Sequence, residues 1–279
     1  MKTLIVTADD FGADNSVNEA VERAHREGVL TCASLMVTGA AAADAVARAR
    51  SMPSLGVGLH LILVEGVPAL PAEHVPDLVD GAGRFRTDMA RAGATMFFNP
   101  SARAQLRAEI EAQFAAFAAT GLPLDHVNAH KHFHLHPTIA GLVMSIGQRY
   151  GMKAVRAPVE PIAMLRRVEP VRHDATMRIA DLWARQLRTR LRRRGLHVPD
   201  QVFGLAWSGA VTAGRLEQLA RHLPPGVTEI YSHPAANDRY PGHCPGYRYI
   251  DEFAALTEPR VRTAIDESGA KLVRFADLT

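Results

Sequence analysis

Apolar positions recur along the chain in two alternating rhythms. "TLIVTA" (3–8) is a short, β-branched apolar run that predicts a strand and stops at "DDFG". "NSVNEAVERAHREG" then sets Val17, Ala20, Val21 and Ala24 at helical spacing, with Asp14 or Asn15 as the cap and Gly28 as the stop. The pair recurs: "LTCASLMVT" predicts a strand ahead of the helix "AAAADAVARARS", and "GVGLHLIL" predicts the next strand after Pro53. Helices follow in "SARAQLRAEIEAQFAAFAATG" and "PTIAGLVMSIGQRYG", with "LDHVNAH" as a strand between them. "MKAVRAP", "TEIYSHP" and "KLVRFADL" predict further short strands. Such alternation implies βα units and an α/β fold with a parallel sheet, closed or nearly closed into a TIM-like barrel at 279 residues.

Two stretches interrupt the rhythm, at about 65–100 and 160–207. The first is rich in Pro, Gly and charge and reads as a long insertion near a site. The second carries an apolar stripe of Met177, Ala180, Trp183, Ala184, Leu187 and Leu191 beside a basic face. No repeat or linker divides the chain, so residues 1–279 are expected to form a single domain.

Composition narrows the class. Hydrophobic residues make up 47% and charged residues 22%, an ordinary globular balance. No apolar run approaches the ~20 residues of a membrane helix. The start "MKTLIVTADDFG" meets two aspartates before any cleavage-like site, which predicts a cytoplasmic protein. Cys32 and Cys244 are the two cysteines and lack metal-ligand spacing, so any metal must be held by nitrogen and oxygen. The net charge of +3 gathers in "RTRLRRRG" (188–195), which suits a solvated face or an anionic surface; no nucleic-acid partner is expected.

The candidate chemistry sits where predicted strands end. Asp9 and Asp10 follow "TLIVTA", His60 follows "GVGL", His130 follows "DHVNA", Arg156 follows "KAV" and His233 follows "EIYS". In a parallel barrel the C-terminal strand ends share one rim, so residues scattered in sequence can converge. Neighbouring strand residues point to opposite faces, so Asp9 and Asp10 serve one site together only if the strand ends there, before Phe11-Gly12.

The segment "DHVNAHKHFHLHPTI" holds His126, His130, His132, His134 and His136. Pro137 disfavours helix at His136, so an extended or irregular course is expected. Same-face residues of an extended chain lie about 7 Å apart, too far for all to reach one ion at ~2.1 Å. At most one or two are ligands; the rest hydrogen-bond ligands, contact substrate or titrate at the surface. His233 is a candidate general acid, because histidine is the side-chain type suited to proton donation near neutral pH. Aspartate with histidine, without cysteine, fits one divalent ion with open positions, zinc or magnesium first and manganese or cobalt next. Hydrolysis of an amide, ester or phosphate follows from such a centre.

"TADDFG" (7–12), "GLHL" (58–61), "HVNAHKHFH" (126–134), "AVRAP" (154–158) and "YSHP" (231–234) together resemble the YdjC-like carbohydrate deacetylases, in order through nearly the whole chain. "GRFRTDM", "TGLPLDHVNAHKHFHLHPTI", "VFGLAWSG" and "LPPGVTEIYSHPA" look most like the hopanoid-biosynthesis-associated branch of that family. The resemblance implies a distorted (β/α) barrel that removes acetyl from an N-acetylated sugar with a divalent metal. It implies Asp10, His60 and His130 as metal ligands, Asp9 as the base for the attacking water and His233 as the acid for the departing amine. It further implies N-acetylglucosaminyl hopanoid as substrate and a homodimer. Two positions depart from the family pattern: Asn128-Ala129-His130 stands where relatives commonly have Asp-Ser-His, and His233-Pro234-Ala235 where they have His-Pro-Gly.

Arg156 is open between orienting Asp9, binding a substrate oxygen and bracing a loop; His132 and His134 are candidates for substrate or ligand contact. The arginine-flanked helix at 177–194 fits either an anionic membrane surface, and thus peripheral attachment at the inner face of the cell membrane, or a solvated outer face. Two other functions compete: a metal-dependent phosphoesterase and a non-catalytic sugar-lipid binding protein.

Overall fold

Strand β1 (Lys2–Phe11) begins the chain and is buried along most of its length, which is why its sequence is continuously apolar at first. The structure is a computed structural model that describes residues 1–171 and 175–278. Helix α1 (Asn15–Glu27) follows, capped by the Asp14 side chain, which accepts from the Ser16 N–H at 2.8 Å. It stops at Gly28, where a Cβ would lie 2.1 Å from the Leu256 carbonyl. Next come β2 (Cys32–Leu35), α2 (Ala42–Arg50) and β3 (Gly56–Leu61). Helices α3 (Met89–Phe98) and α4 (Pro100–Ala119) precede β4 (Val127–Ala129) and α5 (Pro137–Arg149). The second half runs α6 (Ile162–Val168), α7 (Ala175–Arg192), β5 (Gln201–Phe203), α8 (Ala213–Arg221) and β6 (Gly226–Ser232). Helices α9 (Tyr249–Thr257) and α10 (Pro259–Glu267) lead to β7 (Ala270–Leu272).

All strand pairs are parallel, in the order β4-β3-β2-β1-β6-β5, with β7 beside the start of β1. The sheet curls into a distorted half-barrel. Its gap is spanned by residues 154–159, held by single bridges of Val155 to Val127 and Ala154 to His197 and by the Val202 N–H on the Val159 carbonyl at 2.9 Å. The strand expected at "MKAVRAP" is reduced to those bridges, because Pro158 has no N–H to continue a ladder.

Both presumed insertions carry regular structure. The first contains α3, capped by Asp88, and a short antiparallel bridge of Val79 to Phe85. The second contains α6, α7 and β5, and its residues 172–174 lie outside the described residues.

The alternation of strand side chains decides what fills the barrel. Ile5, Cys32, Ala154, Val273 and Phe275 form an apolar plug at one end. Above the plug the interior is polar: Thr7 bonds Glu229, Ser34 bonds His126, and Arg156 bonds Asp9. The column ends at the C-terminal rim of the strands, where the candidate residues gather.

Candidate metal centre and active site

A cavity of about 610 Å³ opens at that rim, lined among others by Asp9, Asp10, His60, His130, His132 and His233. Both aspartates reach it by a route different from the expected strand end. β1 continues to Phe11, and the register against β2 slips between Ala8 and Phe11. This bulge, with Asp10 at φ 63°, turns neighbouring side chains toward one site. The positive-φ residues other than glycine among the described residues are Asp10, Glu65, Lys131 and His132, and all four line this cavity. Backbone strain is thus concentrated at the site.

Asp10, His60 and His130 bring one ligand atom each within 4.8 Å of one another. Asp10 Oδ1 lies 3.2 Å from His130 Nδ1 and 3.3 Å from His60 Nε2. His60 Nδ1 is 2.7 Å from the Asn128 carbonyl oxygen, which can only accept, so Nδ1 carries the hydrogen. Its Nε2 is buried and has no hydrogen-bond partner among the described residues. In the neutral ring, a lone pair therefore faces a carboxylate oxygen at 3.3 Å, an arrangement that calls for a cation between them. Charge agrees: the one buried guanidinium, Arg156, is engaged by Asp9 and Glu229, and buried Asp10 has no Arg or Lys ion pair among the described residues. The nitrogen and oxygen donors fit a divalent ion with open positions.

Asp9 stands beside this group without belonging to it. Arg156 grips it through two bonds, Nη1 to Oδ2 at 2.6 Å and Nη2 to Oδ1 at 3.0 Å, and also holds Glu229 through Nε at 2.9 Å. Burial alone would raise the Asp9 carboxyl, but Arg156, with the charges of His60 and His233, outweighs it and holds the group well below the usual carboxylate range. Asp10 is likewise raised by burial and lowered further by His130 and His60. Burial lowers His60, and the charges of Asp9 and Asp10 together with the bonds to Asp10 and Asn128 more than reverse this. Arg156, whose role the sequence left open, has no exposed surface and spends its guanidinium on Asp9 and Glu229.

The histidine segment is not extended. Residues 130–135 form a 3-10 turn with Lys131 and His132 in the left-handed region. The reversal separates its histidines: His130 joins the donor group, and His132 Nε2 meets the Tyr231 hydroxyl at 2.8 Å. His134, a candidate for substrate or ligand contact, is buried outside the cavity lining and donates from Nε2 to the Arg156 carbonyl at 2.8 Å. Burial pulls His134 down to about 4. His136 precedes α5, and His126 lies deep in the barrel.

His233 lines the cavity from the position just after β6, with its backbone N–H on Glu252 Oε2 at 2.6 Å and its Nδ1 3.9 Å from the same atom. Glu229, Tyr231 and Glu252 are missing from the sequence reading. Period-two alternation through "EIYSH" puts Glu229, Tyr231 and His233 on one face and would have found the first two. Glu252 arrives from α9, and no local pattern connects it to His233.

A family model described as YdjC-like protein matches residues 3–267. A carbohydrate deacetylase of Geobacillus stearothermophilus is 30% identical over 277 residues, covering 98% of this chain and 96% of that one. A carbohydrate deacetylase of Brevibacillus brevis is 42% identical over 147 residues, an alignment that spans 53% of this chain and 56% of the relative. A solved structure from Enterococcus faecalis, named for cellobiose-phosphate cleavage, superposes with a TM-score of 0.75 at 26% identity, covering 98% of this chain and 97% of that one.

Proposed function

The chain belongs to the YdjC-like family, and from that premise we propose that it is a divalent-metal-dependent hydrolase that removes acetyl from an N-acetylated amino sugar. The observation that carries this reading is an ionised carboxylate, Asp9, fixed beside the Asp10–His60–His130 group in a cavity that His233 also faces. A divalent ion held by those three donors would acidify water and polarise the acetyl carbonyl, which is what a base as weak as Asp9 requires. Asp9, pinned by Arg156, takes the proton as water adds to the acetyl carbon. His233, placed by Glu252, gives a proton to the sugar nitrogen as the C–N bond breaks. Acetate and a free amino sugar leave.

Among the described residues, the other cluster of metal-type donors, Cys32, Asp125 and His126, is buried and lies outside the cavity lining. A paired-ion clamp of the kind many phosphoesterases use therefore has no second site in the cavity.

The finer reading is a sugar on an apolar carrier, specifically N-acetylglucosaminyl hopanoid. It is supported by a side cavity of about 330 Å³ whose wall is mostly apolar, with Leu135, Pro158, Ile162, Leu165 and Leu205, although Glu160 and Asp181 also line it. Leu205 also lines the main cavity, so the two adjoin. Helix α7, on the same wall, exposes Ile179, Leu182 and Trp183. Part of its basic face is spent internally: Arg185 pairs with Asp181, Arg188 bonds the Asp200 carbonyl and Arg192 pairs with Asp200. Arg178, Arg190, Arg193 and Arg194 remain without an ion pair among the described residues and suit an anionic membrane surface. No helix among the described residues is long and apolar enough to cross a membrane.

Mass analysis after incubation with N-acetylglucosaminyl hopanoid and with diacetylchitobiose is expected to show loss of one acetyl group from the lipid-linked sugar, faster than from the free disaccharide. Turnover of the disaccharide alone would remove the hopanoid reading and keep the deacetylase. Phosphatase turnover without acetate release would remove both. Sedimentation with phosphatidylserine vesicles is expected to carry the protein down at low salt, and replacing Arg193 and Arg194 by glutamine is expected to weaken this by about 30-fold, at about 1 kcal/mol per arginine. No sedimentation at either low or moderate salt would sink the membrane contact.

A further inference from the structure

Beneath the candidate active site the barrel interior holds a continuous run of buried polar side chains that the reaction does not touch: Asp125, His126, Ser34 and Asn128. With His126 as a neutral ring, the direction of every hydrogen bond in it follows from the chemistry of its ends. Asp125 Oδ2 accepts from His126 Nδ1 at 2.9 Å, so in the neutral ring His126 Nε2 is left as an acceptor for the Ser34 hydroxyl at 3.0 Å. The Ser34 oxygen in turn accepts from the Asn128 amide at 2.9 Å. The second amide hydrogen of Asn128 goes to Asp9 Oδ1 at 3.0 Å, and its carbonyl takes the Nδ1 hydrogen of His60 at 2.7 Å. Flipping the amide would press its carbonyl against the Asp9 carboxylate, so one rotation alone satisfies all partners.

Ser34, His126 and Asp125 have the spacing of a nucleophilic triad, yet they are 0%, 1% and 5% exposed and line no part of the catalytic cavity. Their work is therefore internal. The barrel makes room for it: a Cβ at Gly58 would lie 2.5 Å from the His126 ring, and one at Gly56 2.7 Å from the Asp125 carboxyl. The C-terminal segment clamps the far end, with Phe275 stacked on His126 at 4.4 Å and the Ala276 N–H on Asp125 Oδ1 at 2.9 Å.

We propose that Asn128 is a positioning residue that presents the Nε2 lone pair of His60 to the metal and holds Asp9, and that Asp125, His126 and Ser34 set the rotation of its carboxamide. The proposal rests on the metal reading above. A carboxamide does what a carboxylate cannot. An aspartate at 128 would still accept from His60, as ligating histidines require, but it would offer no hydrogen to Asp9 and would set a second negative charge against it. The two variants should therefore separate metal binding from turnover.

Cobalt(II) binding to the metal-free full-length protein is measured by titration calorimetry, together with kcat and KM for acetate release. Asn128→Ala is expected to weaken cobalt(II) binding by about 10–100-fold, the usual cost of losing such a partner. Asn128→Asp is expected to bind cobalt(II) at least as tightly as the wild type while kcat falls about 10-fold or more and KM holds. Ser34→Ala, which keeps Asn128 and frees its rotation, is expected to weaken cobalt(II) binding in the same direction as Asn128→Ala and by less. It also keeps the test alive if Asn128→Ala does not fold. Equal affinity in the wild type and in folded Ser34→Ala or Asn128→Ala would overturn the proposal, as would full activity in Asn128→Asp. Failure of the wild type itself to bind cobalt(II) would instead overturn the metal reading.

Discussion

Asp9→Asn is expected to lower kcat for acetate release by about 10²–10⁴-fold, the usual worth of a positioned base, while the protein still binds a divalent ion. The separation follows from geometry. Asp9 lies outside the Asp10–His60–His130 group, so its charge is not needed to complete the donor set. Asparagine keeps the shape and one acceptor for Arg156, but it cannot take a proton. KM is expected to change little, since the lost interaction forms only in the transition state. His130→Ala makes the contrast: it removes a donor and is expected to lose metal and turnover together. A coupled acetate assay at saturating substrate, with metal content measured on the same samples, reads both. Unchanged acetate release in Asp9→Asn would defeat the assignment of the base.

What the sequence made visible and what it hid divide along physical lines. Local signals were enough wherever structure is local. The apolar run of β1, the Asp14 cap and Gly28 stop of α1, and the Pro137 start of α5 each depend on residues a few positions apart. The common rim followed from strand parallelism alone, which is why residues as distant as Asp10 and His130 were grouped before any geometry was known. Hidden were features created by backbone irregularity or by distant partners. The bulge that aims both aspartates depends on pairing with β2, and the turn at Lys131–His132 depends on left-handed backbone that non-glycine residues rarely adopt. β5 has three residues, too few for a periodic pattern. The polar barrel interior was legible in part: Gly56, Gly58 and His60 share one face of β3, but which side chains the two glycines admit is settled only by Asp125 and His126 across the barrel.

Arg156→Leu is the substitution expected to damage the fold most, by about 3–5 kcal/mol, because it strips the cation from buried carboxylates. For a chain of this size that lowers Tm by roughly 6–20 °C. Arg156 has no exposed surface and bonds both Asp9 and Glu229, with its guanidinium 4.5 Å from the centre of the Tyr231 ring. Leucine fills much of the space and satisfies neither acid. The pH dependence distinguishes lost charge from lost packing. In the wild type, Asp9 is held below its unfolded value, so its contribution is present above about pH 4 and fades as pH falls through the folded value. In Arg156→Leu, burial, the largest influence on Asp9, is opposed only by the charges of His60 and His233 and is expected to lift Asp9 above its unfolded value, so the variant gains by protonation as pH falls. The gap between the two proteins is therefore widest near neutral pH and narrows on acidification toward pH 4. Thermal melts at steps from pH 8 to pH 4 would show it, and a gap of constant size across that range would mean that Arg156 acts through packing alone.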